Sequence, residues 1–140
     1  MVLRRLYALA VGAVRLAVDV APDRDGKFWR SLGARKGITE RYAAWGAAHR
    51  DAARPLLWMH APSVGEGLQA RPVLERLRAG HADLQLAYTH FSPSAEHFAH
   101  SLGADFADYL PFDSAIDARA TLDALRPDAL VYRSSTCGPY

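Results

Sequence analysis

The chain has 140 residues, half of them hydrophobic, which is enough for one domain with a substantial core. Seventeen Lys and Arg against fifteen Asp and Glu leave a net charge of +2, a balance that argues against nucleic acid as a partner. The single cysteine, Cys137, excludes an intrachain disulfide framework and suits a reducing compartment.

Charge is unevenly spread. Residues 1–54 carry eleven basic and five acidic side chains, +6 against about −4 for the remainder, and a basic front end suits an anionic surface such as a membrane. The opening segment RRLYALAVGAVRLAVDVAP begins like a signal peptide, but Arg15 and Asp19 interrupt its apolar run. That run falls well short of the ~20 apolar residues a spanning helix needs. Leu3, Leu6, Leu9, Ala10, Ala13, Leu16, Ala17 and Val20 recur at helical spacing, with Arg4, Arg5, Arg15 and Asp19 mainly elsewhere on the wheel. The expectation is a membrane-associating helix over residues 1–21, with docking on the chain's own body as the alternative.

PDRDG (22–26) ends that helix, and residues 27–54 read as one or two short polar helices around Gly33, Gly37 and Gly46. After Pro55 a regular alternation begins. LLWMHA (56–61) reads as a buried strand, and Gly65 to Gly80 as a helix with Leu68, Val73, Leu74 and Leu77 inward. LQLAYTH (84–90), FADYLPF (106–112) and DALVY (128–132) read as further strands, separated by helices over 93–103 and 115–125. Strand–helix–strand at this spacing predicts an α/β fold, a parallel sheet with flanking helices forming a Rossmann-like half. Ligands of such sheets bind beyond the carboxyl ends of the strands, here the loops APSVGEG, THFSPS and LPFDS.

In SVGE, Ser63 and Glu66 have the spacing of a capping box, each side chain reaching the other residue's amide. The same turn could instead point the Glu66 carboxylate into the crevice as a proton acceptor. Gly65 and Gly67 lack side chains and would let a substrate approach the backbone. Thr89, Ser92 and Ser94 at the second strand end suit a sugar- or phosphate-binding loop; Ser92 or Ser94 would equally cap the next helix. His60 is either a buried hydrogen-bonding residue or an active-site wall. His97 and His100 lie three apart but have no third ligand nearby in sequence, so no metal site is expected.

HAPSVGEGLQARPVLERLR, followed by THFSPSAE, YLPFD and RPDALV, resembles the N-terminal domain of 3-deoxy-D-manno-octulosonic acid (Kdo) transferases. The shared features are the H-A-x-S-V-G-E turn, a proline in the next helix (Pro72), a T-x-x-[ST]-P-[ST] loop and a P-[FY]-D loop. The resemblance implies the N-terminal half of an inverting GT-B glycosyltransferase. Such an enzyme moves Kdo from CMP-Kdo to the lipid A precursor at the cytoplasmic face of the bacterial inner membrane. It implies Glu66 as general base, no cofactor beyond the donor substrate, and a C-terminal domain carrying most of the nucleotide site. Ser63, Gly65, Gly67, Thr89, Ser92 and Ser94 are then the candidate substrate-binding residues, on an acceptor domain spanning 22–132.

After Tyr132 the family continues with an acidic-x-Trp-Pro motif, whereas this chain reads RSSTCGPY. One reverse translation of that peptide, shifted in frame, gives Ser-Lys-Leu-Asp-Val-Trp-Pro-Val. Residues 133–140 are therefore expected to be an out-of-frame tail, with the donor domain absent and the chain inactive alone. Two other readings stand beside this one: a fragment of another GT-B cell-envelope glycosyltransferase, and a non-enzymatic membrane-docked binding module with a Rossmann-like core.

Overall fold

The computed structural model describes residues 2–20 and 26–133, so most of the 22–26 turn, the 134–140 part of the expected tail and Cys137 lie outside the described residues. The elements run α1 (Val2–Val20), α2 (Lys27–Gly33), α3 (Ile38–His49), β1 (Leu56–His60), α4 (Val64–Gly80), β2 (Gln85–His90), a 3₁₀ turn (Pro93–Ala95), α5 (Glu96–Ser101), β3 (Phe106–Tyr109), α6 (Ala115–Leu125) and β4 (Ala129–Tyr132). They divide into two compact units, Met1–Arg50 with Pro111–Arg126, and Asp51–Leu110 with Pro127–Tyr140.

The first unit is helical. Gly46 lies inside α3, where a Cβ would stand 2.4 Å from the Ala124 carbonyl oxygen on α6. The two helices therefore meet backbone to backbone. Ser114 caps α6, its hydroxyl accepting the Asp117 amide at 3.0 Å and donating to the Asp117 carboxylate at 2.7 Å. Asp117 is fully buried and pairs with Arg15 of α1 at 2.9 Å, while the Tyr7 hydroxyl donates to Asp113 at 2.7 Å. Val18 is also buried. The opposite side of α1 carries Leu3, Leu6, Leu9 and Leu16, 57–81% exposed. The apolar stripe read from the sequence thus faces away from the unit's own body. Among the described residues no helix is long and apolar enough to cross a membrane.

The second unit holds a four-stranded, all-parallel sheet of order β3-β2-β1-β4. β1 and β2 are central and every residue in them is buried, which explains their near-continuous apolar runs. Leu57, Met59, Leu86 and Tyr88 form a core with Ala70 and Leu74 of α4 and Phe98 and Ala99 of α5. This is a Rossmann-like α/β arrangement, a parallel sheet with flanking helices.

Two local expectations need correction. Leu68 and Val73 are each 53% exposed. The stripe of α4 that meets the sheet is Gly67, Ala70 and Leu74, with Leu77 packed against the same core as expected; the small Gly67 and Ala70 let the helix lie close. β3 stops at Tyr109, since Pro111 has no N–H with which to extend the ladder.

Candidate active site

β1 leads to β2 and β3 on one side, and β4 then returns to its other side. The order therefore reverses at β1. The crevice outside the carboxyl ends of β1 and β4 is where such sheets take ligands, and the loop leaving β1 there is APSVGEG.

That loop is fixed from both sides. The Ala61 amide donates to the Thr89 carbonyl at 3.0 Å, and the Pro62 carbonyl accepts the amides of Phe91 and Ser92 at 3.1 and 3.0 Å. The loops after β1 and β2 are thus tied together by backbone bonds. The Gly67 amide donates to the Ser63 carbonyl at 3.0 Å, opening α4.

The expected capping box takes another form. Ser63 has extended backbone and no side-chain bond to the helix amides; its hydroxyl donates instead to the Glu66 carboxylate at 2.6 Å. A short charge-assisted bond of this kind orients the carboxylate. Glu66 is only half-buried, so the group can meet a substrate.

The two glycines have different duties. Gly65 is exposed, and a Cβ there would find only the Ser63 hydroxyl, at 4.0 Å. Gly67 is buried, and a Cβ would meet Phe98 at 2.4 Å and the Tyr88 hydroxyl at 2.6 Å. The close approach that Gly67 permits is to the protein's own core, not to a ligand.

Thr89, expected among the substrate-binding groups, is fully buried. Its hydroxyl accepts the Trp58 indole N–H at 2.9 Å and shares a 2.9 Å bond with His60 Nδ1. The register sets Thr89 opposite His60 at the carboxyl ends of β1 and β2, with its side chain enclosed and engaged beneath the loop. His60 is likewise buried and stacks on Tyr132 of β4 at 4.9 Å. Ser92 and Ser94 do reach the surface side of the second loop, their hydroxyls 2.8 Å apart. Ser92 precedes the 3₁₀ turn without capping it through its side chain.

One residue at this site was not read from the sequence. Arg133, assigned to the aberrant tail, donates its amide to the His60 carbonyl at 2.9 Å and its guanidinium to Gln69 Oε1 at 2.5 Å. Gln69 lies three positions after Glu66 on α4, hence on the same face. A cation and a carboxylate therefore flank one helical turn at the crevice. No motif pointed to it, because its position follows from strand pairing alone. Among the described residues no group of His, Cys, Asp and Glu could hold a metal ion.

Beneath the turn, the Tyr88 hydroxyl is buried and has no hydrogen-bond partner among the described residues. Burial first, and the Glu66 carboxylate second, push it up to about 12. An unfolded chain loses that proton near pH 10. The folded state holds the proton more tightly, so stability is intact below pH 10 and falls as pH rises toward 12, by about 2–3 kcal/mol. Tyr88→Phe is expected to remove that alkaline slope and, by deleting an unsatisfied buried group, to leave stability at pH 7 unchanged or raised by about 1 kcal/mol. Urea unfolding at neutral and alkaline pH measures both.

Residues 32–136 match the family model described as 3-deoxy-D-manno-octulosonic-acid transferase (kdotransferase). The chain belongs to the Kdo transferase family. The Haemophilus influenzae 3-deoxy-D-manno-octulosonic acid transferase is 25% identical over 107 residues, which cover 75% of this chain. The Chlamydophila psittaci enzyme of the same name is 27% identical over 115 residues, or 80% of the chain. In both cases the aligned segment is 25% of the relative, so the chain spans about a quarter of the Kdo transferases it matches. The family match takes in the Glu66 turn, the 89–94 loop and all four strands, and it begins downstream of α1.

Proposed function

We propose that this chain supplies the acceptor-binding half of an inverting GT-B transferase. The enzyme would transfer Kdo from CMP-Kdo to a lipid A precursor in lipopolysaccharide synthesis. The observation that carries the reading is Glu66: a carboxylate oriented by Ser63, partly open, on the turn at the sheet's reversal point. Family membership adds the class of reaction.

In this reading one Glu66 oxygen takes the proton of an acceptor sugar hydroxyl. The hydroxyl oxygen attacks the anomeric carbon of Kdo from the face opposite the phosphate, and the bond to CMP breaks with its electron pair leaving on CMP. Gly65 leaves the approach open, and Ser92 and Ser94 offer hydroxyls to the acceptor. Arg133 favours an acceptor carrying anionic groups. The exposed stripe of α1 would rest on the cytoplasmic face of the inner membrane, with Arg5 beside it for anionic headgroups.

The test is a chimera, since the relatives are about three times as long as this chain. Residues 1–133 replace the aligned N-terminal segment of the Haemophilus influenzae enzyme, and Kdo transfer from CMP-Kdo to a lipid A precursor is assayed. Transfer is expected; a soluble, folded chimera that binds the acceptor but transfers nothing sinks the reading.

A further inference from the structure

Tyr88 stands in the middle of the sheet, its Cα paired with Met59 of β1 and Ala107 of β3. Its ring belongs to the core and meets Phe98 of α5 edge-on, with centroids 6.4 Å apart. A phenylalanine would pack there equally well. The hydroxyl is what packing does not explain. It is fully buried and has no hydrogen-bond partner among the described residues, and natural cores rarely keep a polar group in that state without a use for it.

The hydroxyl lies 2.6 Å from where a Gly67 Cβ would stand, so the glycine makes the room that the oxygen fills. Glu66 is the preceding residue, its Cα about 3.8 Å from that of Gly67. The phenol therefore sits directly under the turn that carries the carboxylate. Charged groups on the surrounding elements are engaged elsewhere. Arg71 of α4 lies over the Phe98 ring and donates to Ser101, and Arg133 donates to Gln69. Glu96 of α5 accepts the Tyr109 hydroxyl, and Asp108 of β3 accepts the Tyr109 amide. His60 of β1 bonds Thr89, and His90 of β2 bonds the Ser92 carbonyl. Glu66 is the charge that acts on the Tyr88 hydroxyl.

A hydroxyl with no competing acceptor turns its proton toward the nearby negative charge, and in a core that dipole is weakly screened. Such an interaction favours the ionised carboxylate over the neutral acid. We propose that Tyr88 is a positioning residue for Glu66, its buried hydroxyl directing its proton at the carboxylate from below while Ser63 holds the same group by a direct bond. The consequence for catalysis rests on Glu66 being the base; the coupling between the two side chains does not.

The test is a carbon-13 NMR titration of the Glu66 carboxyl in the 140-residue chain and in Tyr88→Phe, with circular dichroism reporting the same fold for both. Glu66 is expected to hold its proton about three- to tenfold more tightly in the variant. A purely structural Tyr88 would leave that affinity unmoved. In the wild type, the Tyr88 Cζ resonance should follow the Glu66 titration, a readout that needs no substitution. Unchanged or weakened proton binding in the folded variant overturns the proposal, as does a Tyr88 resonance indifferent to Glu66. Neither result touches the assignment of Glu66 as base. In the active chimera, Tyr88→Phe should also move the acid limb of kcat/KM upward by about 0.5–1 pH unit. A limb that stays in place while the Glu66 titration moves overturns Glu66 as base and upholds its coupling to Tyr88.

Discussion

Glu66→Gln in the active chimera is expected to cut Kdo transfer by about 10²–10⁴-fold, the range for removing a positioned general base. The substitution is chosen to change little else. Glutamine keeps the length and planarity of the side chain, and its amide oxygen still accepts the Ser63 hydroxyl that now lies 2.6 Å from the carboxylate. Acceptor binding and thermal stability should therefore hold, and the loss should fall on kcat rather than KM. Ser63→Ala keeps the base but frees its orientation, and should cost only about tenfold. A Glu66→Gln enzyme that retains its rate would remove Glu66 as the base and reduce the Ser63–Glu66 pair to a helix-start bond.

Gly46→Ala is expected to destabilise the helical unit by about 2–4 kcal/mol, although alanine is the better helix former by about 1 kcal/mol. The added methyl would stand 2.4 Å from the Ala124 oxygen, 3.0 Å from its carbonyl carbon and 3.2 Å from its Cα. All three are backbone atoms, so no side chain can swing aside; α3 and α6 must separate along their length. Arg50 also crosses this contact, donating to the Leu125 and Arg126 carbonyls at 2.7 and 3.0 Å, and separation would stretch those bonds. Gly12→Ala is the control. It lies within α1 with nothing inside 4 Å of its Cβ position, and should be neutral or mildly stabilising. Thermal melts that rank the two variants the other way would mean that the α3–α6 contact is loose.

Much of this fold was legible because parallel strands buried on both faces leave continuous apolar runs between turn residues. LLWMH after Pro55 and QLAYTH are such runs. What misled the reading was residue size. Leu68 and Val73 looked like part of the core face on α4, but Gly67 and Ala70 occupy the close approach to the sheet, and of the expected leucines Leu74 and Leu77 pack there. Gly46 was read only as one of three glycines around which short helices form, and its role as a helix contact came from the structure. At the site, Ser63, Gly65 and Glu66 could be read because one local turn holds them all. Thr89 could not be placed correctly, since its hydroxyl is engaged by Trp58 and His60 from the neighbouring strand. Arg133 was beyond reach for the same reason: only the parallel pairing of β4 with β1 brings it to the His60 carbonyl and to Gln69.

The Arg15–Asp117 ion pair has a bearing on how α1 would meet a lipid surface. Together with Tyr7–Asp113, it holds one side of the helix at two points eight residues apart, roughly 12 Å along the axis. A helix pinned twice cannot roll, so the azimuth of Leu3, Leu6, Leu9 and Leu16 is set in solution. Free amphipathic segments fold as they adsorb, and ordering their backbones offsets part of the gain from burying their apolar side chains. Here the ordering is already complete, enforced by a buried carboxylate that would be left uncompensated if α1 detached. Adsorption then becomes the docking of a rigid blade, with its depth and heading determined by the protein rather than by the bilayer.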